Sequence, residues 1–85
     1  MNRVLAIVSV LGRDQKGVVA RISTYLADQD INIEDIEQRV VRGQFLMDML
    51  VDITGATVSL DELVVGLLAI GREIDMEIRV TLHNK

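Results

Sequence analysis

The chain is 85 residues long, carries a formal net charge of −4, is 49% hydrophobic and 2% aromatic, and contains neither cysteine nor proline. That length supports one domain over residues 1–85 with an aliphatic core, and the acidic balance with only Tyr25 and Phe45 as aromatics excludes the basic, stacking surface by which a folded domain holds nucleic acid. Disulfides, thiolate metal sites and cysteine nucleophiles are excluded too; no apolar run has membrane-spanning length and the N-terminus does not read as a signal peptide, so a cytoplasmic protein without membrane contact or cofactor is expected.

Residues 4–11, Val-Leu-Ala-Ile-Val-Ser-Val-Leu, are rich in β-branched side chains and apolar on both faces, the pattern of a central strand. After the loop Gly12-Arg13-Asp14-Gln15-Lys16-Gly17, Val18, Val19, Ile22 and Leu26 recur at helical spacing, with Arg21, Ser23, Thr24 and Asp28 opposite. This helix is expected to end near Gln29-Asp30, with Asp30 in a left-handed conformation. The chain from Ile33 to Arg42 is polar and extended, and Arg42-Gly43-Gln44 reads as a hairpin turn. The following strand, roughly 44–53, alternates: Phe45, Met47, Met49, Val51 and Ile53 point one way, and Gln44, Leu46, Asp48, Leu50 and Asp52 the other.

A second helix starts at a capping-box pattern, Ser59 with Glu62, and Val58 with Leu63 fit a hydrophobic staple. Leu60, Leu63, Val64, Leu67 and Leu68 are expected as its buried stripe. In the last segment Ile74, Met76, Ile78, Val80 and Leu82 alternate with Asp75, Glu77, Arg79, Thr81 and His83, a half-solvated strand.

The order β-α-β-β-α-β predicts an α+β, ferredoxin-like sandwich: a four-stranded antiparallel sheet with two helices on one face. Right-handed crossovers place strands one and three in the centre and two and four at the edges. If Val4, Ala6, Val8 and Val10 face the helices, Leu5 and Ile7 lie on the open face, where Leu46 and Leu50 join them as a candidate interface. So much apolar surface on so short a chain points to a homodimer or higher homo-oligomer.

Two stretches carry the chemistry. The 12–17 loop leads into a helix whose first N–H groups lack intrahelical partners, and Ile31-Asn32-Ile33 brings back a polar residue just after that helix. Such a corner suits a small anion or amino acid. Other chemistries fail on specific residues. Gly12 and Gly17 have Walker-like spacing, but Val18-Val19 stand where Lys and Ser/Thr belong. An acyl-phosphate hydrolase would find Arg13 but no Asn on strand three, and a metal chaperone would need a Cys-x-x-Cys loop. His83 has no nearby Ser or Cys to activate, and Glu34, Asp35 and Glu37 read as a solvated edge that discourages aggregation.

Asp14-x-x-Gly17 between strand and helix, Ile31-Asn32-Ile33 after the helix, and the element order over nearly the whole chain resemble an ACT domain. Lys16 stands where the familiar loop has proline, which is similar to the stand-alone and repressor-like branch, including the glycine-cleavage regulator type and the leader domain of formyltetrahydrofolate hydrolase. The resemblance implies a pocket between two subunits or repeats. In it Asp14 would hold the ligand ammonium or a bridging water, Gly17 would admit close backbone approach, and the N–H groups of Val18 and Val19 would hold the carboxylate. Asn32, with Ile33 beside it, would bond ligand or partner backbone; Gly12 matches a position that often bears a ligand-contacting side chain. The expected protein is a non-catalytic regulator that binds an amino acid or similar metabolite at a subunit interface and signals by its association state. The alternative is a ligand-free interaction module that docks a metabolic enzyme or regulator through the open sheet face.

Overall fold

A computed structural model describes residues 3–83 of the chain. Its order is β1 (Leu5–Arg13), α1 (Val18–Asp28), β2 (Asn32–Val41), β3 (Gln44–Asp52), α2 (Leu60–Ile74) and β4 (Met76–His83). The strands form one sheet in the order β2-β3-β1-β4, and every neighbouring pair is antiparallel. This is the expected ferredoxin-like arrangement, with β1 and β3 central. β1 is paired on both edges, as expected for a central strand.

The core lies between the sheet and the helices. Ala6, Val8 and Val10 of β1, Phe45, Met47, Met49 and Val51 of β3, and Met76 and Ile78 of β4 meet Val18, Ile22 and Leu26 of α1 and Leu63, Leu67 and Ile70 of α2. Every named strand residue has the parity that the alternation assigned to the helix side. Phe45 is the single phenylalanine, so aliphatic and thioether packing carries this core.

Local signals account for the turns. Arg42 and Gly43 both have positive φ, 52° and 78°, closing β2 to β3 as a two-residue hairpin between Val41 and Gln44. At the end of α1, Asp30 has φ 60°; its N–H donates to the Ala27 carbonyl and that of Ile31 to the Leu26 carbonyl, each at 3.0 Å. This is a Schellman closure, and the buried pair Leu26 and Ile31 seals it. α2 opens with the expected capping box: the Glu62 N–H donates to Ser59 Oγ (3.1 Å) and the Ser59 N–H to Glu62 Oε1 (2.9 Å).

Four expectations need correction. Val4, counted on the helix side, is 46% exposed, because it precedes the paired region of β1. The buried stripe of α2 is Leu63, Leu67, Ile70 and Gly71, while Leu60 and Leu68 are exposed and Val64 is half-buried. Ile74 is the last residue of α2 rather than the first of a strand; the chain reverses at Asp75, which has φ 58°. Leu82 has the helix-side parity but stands on the edge strand β4 and is exposed. Leu5, in contrast, is only 6% exposed on the open face, flanked across the ladder by Asp52 and His83.

Candidate functional site

β1 delivers the chain to one end of the sheet, where the 14–17 loop turns it into α1. The Asp14 N–H donates to the Gly43 carbonyl (2.9 Å), tying the loop to the β2–β3 turn. Gln15 Nε2 donates to the Ile74 carbonyl (2.6 Å), tying it to the end of α2 as well. Gly17 is the N-cap residue, with φ 85°, a left-handed conformation that glycine adopts without strain. Among the described residues no side chain caps α1, so the N–H groups of Val18, Val19 and Ala20 have no side-chain acceptor there. Asp14, exposed, therefore does not act as a helix cap. These free donors and the positive end of the helix dipole are what a carboxylate needs.

Arg21 steadies the same end. Its guanidinium donates from Nε and Nη2 to the two carboxylate oxygens of Glu73 (2.8 and 2.9 Å), joining α1 to α2 in bidentate geometry. That hydrogen bond holds the Glu73 carboxyl below its ordinary value, and the charge of Arg21 adds to it. Arg13, Gln15, Glu73, Ile74 and Asp75 enclose a recess of about 320 Å³ behind the loop.

Asn32 and Ile33 lie elsewhere. Leu5 pairs with Asp52, and Asp52 with Asn32, at one end of the sheet; Arg13 pairs with Gln44, and Gln44 with Val41, at the other. Asp14 and Gly17 follow Arg13, so roughly 26 Å of strand separates them from Asn32. The expected single corner is thus divided between the two ends of one chain. The reason is the length of α1: its 11 residues rise about 1.5 Å each and carry the chain back along the sheet before β2 begins.

The Asn32 end has its own network. Asn32 Nδ2 donates to Glu34 Oε2 (2.6 Å), and Arg3 Nη1 donates to Glu34 Oε1 (3.2 Å). Asp52 accepts from the Thr54 hydroxyl (2.6 Å) and the Thr54 N–H (2.9 Å); these bonds hold its carboxyl below the ordinary value, with the charge of Arg3 assisting. Ile33 pairs with Val51 and so points to the helix side, away from Asn32. Gly12 also has a packing role: a Cβ there would meet the Met76 sulfur, so the space a ligand-contacting side chain would cross is filled from within.

The open sheet face is the larger concavity, a trough of about 900 Å³. Its floor is Ser9 and Leu11 of β1 with Leu46 and Asp48 of β3; Glu37 and Arg39 of β2 form one rim, Glu77 and Arg79 of β4 the other. Ser9 Oγ donates to Asp48 Oδ1 (2.6 Å), and Arg79 pairs with Glu77 in the same strand (3.1 Å). Leu5, Ile7, Leu46 and Leu50 all lie on this face, as their parity predicted. Leu11, 40% exposed, belongs to the same row and was not singled out from sequence, although Leu5-x-Ile7-x-x-x-Leu11 already places it there. Among the described residues no cluster of three or more His, Cys, Asp or Glu could hold a metal ion, and no helix is long and apolar enough to cross a membrane.

Comparison with known proteins agrees with this architecture. A UPF0237 protein of Methanopyrus kandleri is 45% identical over 75 residues, 88% of this chain and 83% of the relative. An ACT domain protein from Streptococcus pneumoniae superposes with a TM-score of 0.84 at 30% identity, covering 95% of this chain and 91% of that one. A putative glycine cleavage system transcriptional repressor shares the fold, with a TM-score of 0.83 at 15% identity over all of this chain and 48% of that one. The family model of the ACT domain matches residues 5–81; with the βαββαβ order and the sheet order both in place, this chain belongs to the ACT domain family.

Proposed function

We propose that this protein is a cytoplasmic, non-catalytic regulatory module that binds an amino acid or similar small metabolite between two copies of itself and signals through its association state. The observation that carries the reading is the uncapped N-terminus of α1 behind left-handed Gly17. In this reading the N–H groups of Val18 and Val19 hold the ligand carboxylate and Asp14 its ammonium group.

The distance to Asn32 supports a site shared by two chains, since one copy cannot close it alone. β2 is an edge strand whose outer side is free to pair. Antiparallel pairing of two β2 strands would reverse their ends and bring Asn32 of one copy toward the 14–17 loop of the other, which leans on the 42–43 turn. Charge favours that pairing. The first half of β2 carries Glu34, Asp35 and Glu37, and its second half Arg39, followed by Arg42 in the turn. Ile36 and Val40, 38% and 56% exposed on the helix side of β2, would be covered with it. A ligand bridging the two chains favours the paired arrangement, and the population shifts toward it.

The test is a thermal-shift screen of the intact protein against the twenty amino acids, repeated with Asp14→Ala, with Asn32→Ala and with the two variants refolded together. One compound should raise the melting temperature saturably, and neither variant alone should respond. The mixture should regain about a quarter of the sites, because half the dimers are mixed and each mixed dimer has one intact site of two. Equal shifts in the wild type and both variants would overturn the assignment.

A further inference from the structure

From the charge pattern across the sheet we propose that the open face is an isologous interface, on which a second copy of this chain stacks about a twofold axis parallel to the strands. The register supplies the argument. One rung across the sheet reads Glu37, Asp48, Ser9, Arg79 from β2 to β4, and the next reads Arg39, Leu46, Leu11, Glu77. A twofold axis along the strands, between β3 and β1, keeps each rung at its own height and reverses its order. Glu37 then meets Arg79 of the second copy, Arg39 meets Glu77, Asp48 meets Ser9, and Leu46 meets Leu11. Both rims are satisfied by their own opposites and the two apolar floor positions face each other. The rung below continues the match, because Leu50 meets Ile7.

The alternative face-to-face axis, perpendicular to the strands and passing between these two rungs, pairs Glu37 with Arg39 but sets the Asp48 carboxylate on Leu46. Over the three rungs from Leu46 to Leu50 the strand-parallel axis is therefore the one that sets no carboxylate against an apolar floor; beyond them Asp52, already bonded to Thr54, faces Leu5 of the second copy. Sheets that stack face to face lie about 10 Å apart and within about 30° of each other, a gap that a leucine from each side fills and an Arg–Glu pair spans at the rims. Four strands about 4.8 Å apart and roughly 26 Å long present about 500 Å² per copy, so about 1,000 Å² in all, the size at which a specific interface begins. The arrangement also relieves a conflict within the single chain: Glu37 and Asp48 are directly opposite across β2 and β3, two like charges that repel until a cation faces them.

This interface differs from the one that would join Asp14 to Asn32. An axis along the strands keeps like ends together, so it cannot bring the 14–17 loop to Asn32, and the two assignments fail independently.

Sedimentation equilibrium of the full chain, from low micromolar to about 0.5 mM protein, tests the stacked interface. The wild type should self-associate. Arg79→Glu changes a highly exposed side chain that the fold does not need, and it should weaken association about tenfold or more by setting a second carboxylate against Glu37 on both sides of the axis. The charge-exchanged double variant Glu37→Arg with Arg79→Glu should restore affinity to within about threefold of wild type. Leu46→Asp should weaken association at least as much as Arg79→Glu while circular dichroism still reports a folded chain. A wild type that stays monomeric, unchanged affinity in Arg79→Glu, or failure of the double variant to recover would overturn the proposal; rescue by Glu37→Arg with Arg39→Glu instead would assign the perpendicular axis.

Discussion

A methyl group on residue 71 would sit 2.7 Å from the Met76 carbonyl oxygen, on a helix face that has no room to retreat from β4. Alanine is the better helix former by about 1 kcal/mol, yet here the backbone of the adjoining strand would have to move. Gly71→Ala is therefore expected to destabilise by about 1–3 kcal/mol, as overpacked core positions do. Gly17→Ala should cost about 1–2 kcal/mol for a different reason. Nothing lies within 4 Å of its missing Cβ, and only the φ of 85° opposes a side chain. Urea unfolding of both variants checks the pair: a neutral Gly71→Ala would mean that α2 and β4 are not in close contact at this point. Met76 is central to two such sites, its carbonyl limiting residue 71 and its sulfur filling the space above Gly12.

Among the elements, α1 and α2 run antiparallel and are clasped at one end by Arg21 and Glu73. Because that contact lowers the carboxyl below its ordinary value, the unfolded chain binds the proton more readily than the folded one. Its stabilising contribution is present above the ordinary carboxylate range and is lost as pH falls through the lowered folded value. Glu73→Gln should accordingly flatten the fall in melting temperature over that acidic window and leave the shape of the curve near neutrality unchanged. An unaltered acid limb would show that the clasp contributes nothing measurable, the usual outcome for exposed ion pairs. The elements were also what the sequence showed best. Strict alternation in β3, the capping box at Ser59 and the apolar run of β1 each report local geometry, which a single chain segment encodes by itself. The stripe of α2 was misassigned because Leu60 and Leu68 are as apolar as Ile70. Which flank is buried depends on how the helix lies against β4, and Gly71 marks that flank by its lack of a side chain. The division of the candidate site was legible in principle, since a helix of 11 residues cannot return its last residue to its first. Leu11 was within reach as well, since it closes the 4–11 run with the same parity as Leu5 and Ile7. The charged rims of the open face were not, because their meaning lies in the register between strands far apart in sequence.

For the whole molecule, the distance between the 14–17 loop and Asn32 translates into a pattern of dominance. On the shared-site reading, a copy with Asp14→Ala spoils one pocket of a mixed dimer and leaves the other intact. A copy with both Asp14→Ala and Asn32→Ala spoils both. When equal amounts of wild-type and altered chains assemble at random, the single substitution leaves about half the pockets working and the double substitution about a quarter. A pocket confined to one chain would leave half in either case, so ligand stoichiometry by calorimetry on the co-expressed mixtures separates the two. A cell carrying one sound and one doubly altered copy of the gene would then lose more regulation than gene dosage alone predicts, an inheritance pattern set by the length of a single helix.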